Sequence, residues 1–473
     1  MENSSQSTSP MTLGTRSVGS LLVQYSIPAI IASVATSLYN IIDSIFIGHG
    51  VGPMAIAGLA ITFPLMNLVA AFVMLVAAGG AAISSIFLGQ HNIEKATDVV
   101  NNVMSLALIH SIVFGGLTLL FLDPILYFFG ATPETIPYAR EFMRIILYAT
   151  PISYVFIGLN NIMRATGYPR KAMISALLSV VVNLILAPIF IFVLKKGIAG
   201  AAMATVCGQT AAFIWVLHHF MSKKSFVHFK RENSWFKWSI MSRIYAIGMS
   251  PFLMNVCACV VVIFINKALL ESGGADGNLA IGAYGILNRT TMFFVMVVFG
   301  VTQGMQPILG FNYGAGNWSR VIKTLKTGIL IGVIITSVGW ILTQTIPETL
   351  SGLFTSDKTL IDLAAAGYHI YFLFYPLVGC QIVIQNFFQS IGKPQLSIFL
   401  SLTRQLLFLL PFLLILPRRY GIDGVWASMA GSDLIAFIIA VITALIMVRR
   451  YSKKFKNQSS SQSPTVNNDT SAR

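Results

Sequence analysis

About twelve stretches of this chain run for twenty residues or more with scarcely a charge: 22–47, 55–87, 99–122, 140–163, 172–194, 198–220, 243–269, 279–311, 320–346, 362–390, 396–416 and 423–448. A helix rises about 1.5 Å per residue, so roughly 20 apolar residues cross the hydrocarbon core of a bilayer. Inside that core every backbone N–H and C=O must pair within the protein, which leaves helices or closed barrels. Runs this long lack the period-two alternation of barrel strands and predict an all-α polytopic membrane protein. Composition agrees. Apolar residues are 55% of 473 and charged residues 10%, against about 25% charged in a soluble domain. The stretches 55–87 and 279–311 are longer than a bilayer requires, which predicts tilt or extension beyond the lipid.

The chain also repeats itself. Gly167-Tyr168-Pro169, an apolar run, and Gly197-Ile198-Ala199-Gly200 recur as Gly392-Lys393-Pro394, an apolar run, and Gly421-Ile422-Asp423-Gly424. Pro151 recurs as Pro376, Asn161 as Asn386 and Gly89 as Gly314, and 376−151, 386−161 and 314−89 all equal 225. The Gly197/Gly421 pair is offset by 224. Six spans per copy is an even number, so both copies enter the membrane in the same sense, as parallel repeats about an axis along the membrane normal. Two copies of one apolar half are a common plan for a secondary transporter, with the path between the halves.

Lys and Arg set the orientation. About 20 of them fall in the amino-terminal segment, in alternate loops and after the last span, including Arg16, Lys95, Arg164, Arg170, Lys171, Arg320, Lys323, Lys326 and Lys393; about eight fall in the opposite set, among them Lys195, Lys196, Lys358, Arg418 and Arg419. The positive-inside rule then puts both termini in the cytoplasm of a bacterial inner membrane. The expected organisation is a polar, unfolded tail at 1–20 without a cleavable leader, a first lobe at 21–220, a linker at 221–242, a second lobe at 243–448 and a basic, then Ser/Asn-rich tail at 449–473 without fold. The linker combines Lys223, Lys224, Lys230 and Arg231 with Trp235 and Trp238. That mixture suits an amphipathic segment on the inner leaflet or a solvated connector.

The net charge of +15 is scattered through short loops between apolar runs, so it does not form a nucleic-acid-binding surface. Cys207, Cys257, Cys259 and Cys380 all lie inside apolar runs and form neither a disulfide framework nor a metal motif. No Gly-rich phosphate loop ending in Lys-Ser/Thr, no nucleophile-base set and no paired carboxylates point to an enzyme or a cofactor. His110 and His369 have no ligand-type neighbours in the sequence and read as packed or interfacial side chains.

Ionisable groups inside spans are costly, and each is a functional candidate. Asp43 leads. Thr36, Asn40 and Asp43 stand at i, i+4 and i+7 with Tyr39 beside them, which places them on one polar stripe of a helix. Ile41, Ile42, Ile45, Phe46 and Ile47 surround the carboxylate with apolar chain. Burial favours its protonated form and a bound cation its ionised form; an ion-coupled transporter alternates between two such states. Counting down from the far ends of the spans at about 1.5 Å per residue puts Asn183 and Thr205 in the same membrane half as Asp43. Their oxygens suit either Na⁺ or a protonated carboxyl. Arg404 is open to snorkelling, pairing with Asp433 or facing a water-filled cavity, Arg289 reads as lining an inner cavity or packing under Gly-rich turns, and Lys267 as reaching outward. Glu141 and Arg144 form an i, i+3 pair near a span end. Phe63, Met66, Asn67, Asn160, Asn288, Met292 and Gln303 are the candidate substrate path, since Met and Phe surfaces adapt to varied apolar ligands.

Taken together, Pro28 and Asp43 in the first span, Arg164-Ala165-Thr166-Gly167-x-Pro169 after the fourth, Asn183…Pro188 in the fifth and Gly197-x-x-Gly200-Ala201-Ala202-x-Ala204-Thr205 in the sixth resemble the multidrug and toxic compound extrusion (MATE) family, in its MepA-like bacterial branch, over about residues 14–450. The resemblance implies an alternating-access antiporter that exports amphipathic or cationic drugs in exchange for H⁺ or Na⁺, working as a monomer. It implies a coupling site at Asp43, Asn183 and Thr205. At Ala187 the chain departs from one large branch of the family, which there has an acid. A flippase for a lipid-linked saccharide, also found in this fold group, is the alternative; it requires a strongly cationic cavity, for which Arg289 and Arg404 are the only candidates. With Pro28 aligned on Pro251, Asp43 falls opposite Asn266, so only the first copy carries the acid.

Overall fold

The computed structural model describes residues 11–222, 225–230 and 234–461; the side chains of Asn40, Pro53, Ala275 and 454–461 lie outside what it describes. Among the described residues the regular structure is helical. Ten helices are long and apolar enough to cross a bilayer, and two further spans are helix pairs bent at a short break. In chain order the spans are α1 (Val18–Gly50), α2 (Pro53–Gly89), α3 (Ile93–Leu120), α4 (Ile136–Tyr148, bent by 56° into Thr150–Ala165), α5 (Pro169–Pro188), α6 (Gly197–Met221), α7 (Trp238–Gly273), α8 (Gly277–Gly314), α9 (Trp318–Thr345), α10 (Lys358–Tyr371, bent by 59° into Tyr375–Ser390), α11 (Pro394–Leu402, continuing to Ile415) and α12 (Pro417–Ser461).

Local chemistry explains the breaks. The Ser17 and Asn92 side chains cap α1 and α3 by accepting from the backbone N–H groups of Ser20 and Lys95, satisfying donors that the first turn leaves unpaired. Pro151 and Pro376 each sit in the first turn of the second helix of a bent span, where a missing N–H costs nothing. Pro188 closes the regular part of α5, and the chain widens into a π turn over Ile189–Val193. A second π stretch, Thr403–Leu409, interrupts α11. The turns between α4 and α5 and between α10 and α11 both use a left-handed glycine, Gly167 at φ +108° and Gly392 at +69°. The copies differ at the turn after α2, where His91 takes φ +58° and its counterpart Gly316 takes +75°.

The halves α1–α6 and α7–α12 meet along a seam formed by α1 on α8, α2 on α7 and α2 on α8. The seam is built on backbone contact. A Cβ on Gly248 would lie 1.7 Å from the Leu75 carbonyl oxygen, and one on Gly79 would lie 2.1 Å from that of Ile244. The duplication is visible in the contacts themselves. Gly89 abuts the carbonyl of Phe311, and Gly314 abuts that of Ile86; 314−89 and 311−86 are both 225. Further from the termini, Phe72 meets Phe252 at 5.0 Å and the hydroxyl of Ser37 contacts the Met296 sulfur. Both described ends of the chain lie on one face: Asn312 donates to the Leu13 carbonyl, and Trp318 Nε1 donates to Ser452 Oγ at 2.7 Å. We call this the terminus face.

Three expectations change. Part of the supposed tail at 1–20 is folded: Thr12–Thr15 is a helical turn, Leu13 is fully buried and α1 starts at Val18, because the Leu13 carbonyl accepts from Asn312 and Arg320. Helix α12 continues through 449–461, beyond the expected boundary at 448. The linker is shorter than 221–242, since α7 begins at Trp238, and its described part is docked on α3. Asn101 donates to the Lys230 carbonyl and Asn102 to that of Ser234, Asn102 Oδ1 accepts from the Lys237 N–H, and Lys237 pairs with Asp98 at 3.3 Å. Lys223, Lys224 and Arg231 lie outside the described residues, as do 1–10 and 462–473.

Candidate functional site

Helices α5 and α6 pack closely enough to bring two polar groups together. A Cβ on Gly208 would fall 2.4 Å from the Ser179 carbonyl oxygen and 3.4 Å from Asn183 Cβ, so glycine at 208 lets the helices touch. One turn away, Asn183 Nδ2 donates to Thr205 Oγ1 at 3.0 Å, and the Thr205 hydroxyl donates onward to the Ala201 carbonyl. Both side chains are buried. Asn183 Oδ1 is buried too and has no hydrogen-bond partner among the described residues.

Helix α1 packs on α5. Its end is anchored where a Cβ on Gly50 would press into Ile191 and Phe192, and the Phe46 and Phe192 rings meet edge to face at 6.3 Å. The two helices run the same way, being the first and fifth of alternating spans. Seven residues back from Gly50 is therefore level with residue 184, within about 2 Å of Asn183 along the axis. That residue is Asp43. It is 8% exposed, and its Oδ1 is buried without a hydrogen-bond partner among the described residues. Helix α1 ends at Gly50, past the expected 47, so Asp43 lies about 10 Å inside the helix end, deeper than the sequence implied. Tyr39 stands one turn before it, half-buried; the Asn40 side chain lies outside the described residues. Thr36 is exposed and its hydroxyl turns back to the Ala32 carbonyl, which removes it from the stripe. Ala187, one turn beyond Asn183, is fully buried and offers only a methyl. One carboxylate, one orphaned amide oxygen and one hydroxyl thus lie at about the same level of α1, α5 and α6. Among the described residues no three His, Cys, Asp or Glu side chains converge on a metal position.

The candidate substrate path divides. At about 1.5 Å per residue from the start of α2, Phe63 lies about 15 Å deep and Asn67 about 21 Å. From the start of α8, Asn288 lies about 16 Å deep and Met292 about 22 Å. These residues stand between the far face and the level of the Ser37–Met296 contact. Phe63 and Met292 are exposed, while Met66, Asn67 and Asn288 are half-buried. Two candidates are corrected. Asn160 is buried and spends its amide on the Ala172 carbonyl and Ser175 Oγ, tying α4 to α5. Gln303 accepts from Arg164 Nη1 across the seam. Both hold helices together.

The remaining ionisable groups have ordinary partners. Arg404 Nε bonds Asp433 Oδ1 at 2.5 Å, one of the three arrangements the sequence left open. Arg289 is exposed. With Arg404 paired, the cationic cavity that a pyrophosphate-linked substrate demands is not formed by these residues. Arg140 forks onto Asp123 with two 2.7 Å bonds, in place of the expected Glu141–Arg144 pair. Lys267 reaches Glu271 at 3.7 Å, and both are exposed. His110 accepts or donates at Tyr245 Oη, 2.8 Å away, and packs on Phe72. The sequence missed the Arg140–Asp123 fork, the glycine seam and the docking of residues 11–16. The offset of 225 at Gly89 and Gly314 was the available clue to the seam.

Comparison with known proteins bears on this geometry. The MatE family model matches twice, at residues 28–189 and 246–415, once in each half. The chain is 26% identical over 427 residues to the multidrug export protein MepA of Staphylococcus haemolyticus (strain JCSC1435), covering 90% of this chain and 93% of that one. MepA of Staphylococcus aureus (strain N315) is 27% identical over 434 residues, covering 90% of this chain and 94% of that one. Among solved structures, the MATE multidrug transporter DinF-BH is 34% identical, with a TM-score of 0.84 over 91% of this chain and 96% of that one. An outward-facing multidrug resistance MATE transporter of the MOP superfamily superposes with a TM-score of 0.88 over 94% of this chain and 99% of the other, at 23% identity. The family model falls once in each half and covers more than half of the chain, and the chain belongs to the MatE family.

Proposed function

We propose that this protein exports amphipathic and cationic drugs across the bacterial cytoplasmic membrane, in exchange for an ion that binds at Asp43. The observation that carries the proposal is the buried carboxylate on α1, level with the Asn183–Thr205 pair, in the first half alone. A group buried without a partner is retained at a cost, and binding and releasing an ion gives it a use. The relatives named as multidrug exporters support the drug as cargo. The terminus face, with its concentration of Lys and Arg, is the cytoplasmic side. The seam is closed at that face and Phe63 and Met292 stand exposed beyond it, which corresponds to a binding path open to the outside. Helix packing at the seam must part for the path to open inward. The functional unit is a single chain in the bilayer.

H⁺ fits this site better than Na⁺. One proton neutralises one carboxylate, and Asn183 Oδ1 can accept from the carboxyl O–H. A Na⁺ ion needs several oxygens; Ala187 supplies none, and a lone pair of the Thr205 oxygen is already taken by the Asn183 amide. The test is efflux of a fluorescent lipophilic cation from proteoliposomes, with pH and Na⁺ gradients imposed separately. A pH gradient alone should drive wild-type efflux, and Asp43→Asn should abolish it with the protein still inserted. Efflux driven only by Na⁺ would overturn the choice of ion; undiminished ion-driven efflux from Asp43→Asn would overturn the site.

A further inference from the structure

The seam has two sides related by the duplication, and they are finished differently. On one, the chain covers its own seam. Leu13 is buried, its carbonyl accepts from Asn312 Nδ2 at 3.0 Å and Arg320 Nη2 at 3.1 Å, Arg320 also reaches the Arg16 carbonyl, and Gly14 lies against Phe311. Subtracting 225 from Phe311, Asn312 and Arg320 gives Ile86, Phe87 and Lys95. Among the described residues no terminal segment lies there. The second side carries instead a cavity of about 300 Å³ on the terminus face, between the end of α2, the start of α7 and the turn into α11.

The lining of this cavity is chemically one-sided. Arg243 and Lys393 both contribute, Gln90 adds an amide, and no acidic side chain among the described residues takes part. Arg243 is exposed and its guanidinium lies over the Phe87 ring at 5.4 Å; Lys95 lies over the same ring at 5.9 Å. Neither Arg243 nor Lys393 has an ion pair among the described residues. Lys393 stays charged: partial burial works against its ammonium, and the Tyr313 and Tyr451 hydroxyls bonded to it outweigh that, leaving its pKa above the ordinary value. Gly392, Lys393 and Pro394, which open α11, line the same space, so the positive end of that helix dipole lies beside it. Ile247 and Ile391 supply an apolar floor. Two cations around one cavity repel each other, and a phosphate group would relieve that repulsion. Basic pockets between spans at the cytoplasmic surface are where anionic headgroups bind.

We infer that this cavity binds a phosphate-bearing anionic headgroup, which bridges the two halves on the side of the seam that residues 11–16 leave uncovered. Arg243 and Lys393 hold the phosphate, and Gln90 hydrogen-bonds its substituents. A phospholipid of the inner leaflet and a free phosphate compound share this chemistry.

The test uses the full chain in neutral detergent, with the thermal unfolding midpoint as readout. Phosphatidylglycerol, phosphatidylcholine and inorganic phosphate are titrated in turn. Phosphatidylglycerol should raise the midpoint in a saturable way and phosphatidylcholine should not. The Arg243→Gln/Lys393→Gln variant should lose the shift. Ala246→Trp, which fills the cavity and leaves both charges in place, should lose it too. Lys323→Gln/Lys326→Gln, elsewhere on the terminus face, should keep it. Silence of millimolar phosphate assigns the site to a lipid; a matching shift from phosphate assigns it to a soluble anion. The wild-type shift persisting in either cavity variant, or appearing with phosphatidylcholine, overturns the inference; if one variant fails to fold, the other decides.

Discussion

Removing the carboxylate of Asp433 should damage this protein far more than removing its partner. The Arg404 Nε–Asp433 Oδ1 contact is 2.5 Å; the Asp433 side chain is 2% exposed and that of Arg404 25%. Unit charges about 4 Å apart attract by about 4 kcal/mol at an effective dielectric of ~20. That gain roughly balances the cost of drying both groups, so the pair adds little on balance. Breaking it is another matter. Asp433→Ala leaves a guanidinium that stays charged at any accessible pH, on a π stretch of α11 that has no acid of its own to offer it, and costs about 3–5 kcal/mol. Arg404→Met leaves a carboxyl that can take up a proton. Its cost falls to that of a buried polar group short of partners, about 1–3 kcal/mol. The double change Arg404→Met/Asp433→Leu should return to within about 2 kcal/mol of wild type. Reversible denaturant unfolding of the four proteins in detergent, followed by tryptophan fluorescence, gives the cycle directly. Equal costs for the two single changes, or a double variant whose loss is the sum of both, would refute the reasoning.

Other consequences of the packing are as concrete. Gly248→Ala places a carbon 1.7 Å from the Leu75 carbonyl oxygen; the seam must part, at a cost of about 1–3 kcal/mol, and a cysteine at Gln90 on the terminus face should label faster with a membrane-impermeant maleimide. Thr205→Val removes the acceptor of Asn183 Nδ2 and strands both ends of a buried amide, which should lower stability by about 1–3 kcal/mol; Thr205→Ser should restore it, and failure of that rescue would show that the methyl, and not the hydroxyl, matters there. Asn102→Ala deletes the bonds to the Ser234 carbonyl and the Lys237 N–H, so residues 225–237 should become sensitive to limited proteolysis while the spans stay intact; unchanged cleavage rates would mean that other contacts hold the linker.

The spans were legible because their cause is local. A run of about 20 apolar residues can do little else in a membrane, whereas the bends beside Pro151 and Pro376 emerged only in the structure. The offset of 225 made the architecture legible as well, since duplicated sequence folds into duplicated structure. Asp43 was legible because its cost is visible without knowing its neighbours. What lay beyond reach depends on contacts between distant segments. Asn160 and Gln303 look like path-lining residues as readily as the helix ties they are, because an amide declares its polarity and not its partner. The polar composition of residues 11–16 hides that one leucine and two carbonyl oxygens dock them. Two of the features in which the copies diverge lie at places with chemistry. Asp43 faces Asn266 in the alignment of the copies, and the docked strap of residues 11–16 falls opposite 236–241, where Phe236 and Trp238 stand exposed and a basic cavity lies nearby. Identical halves would place equal charge on both sides of the path and could bind an ion in either. Under the coupling proposed above, loss of symmetry at Asp43 would restrict the ion to one half, and its arrival would bend that half relative to the other. The seam, where symmetry is kept down to paired glycine–carbonyl contacts, is the surface on which the proposed movement would be made.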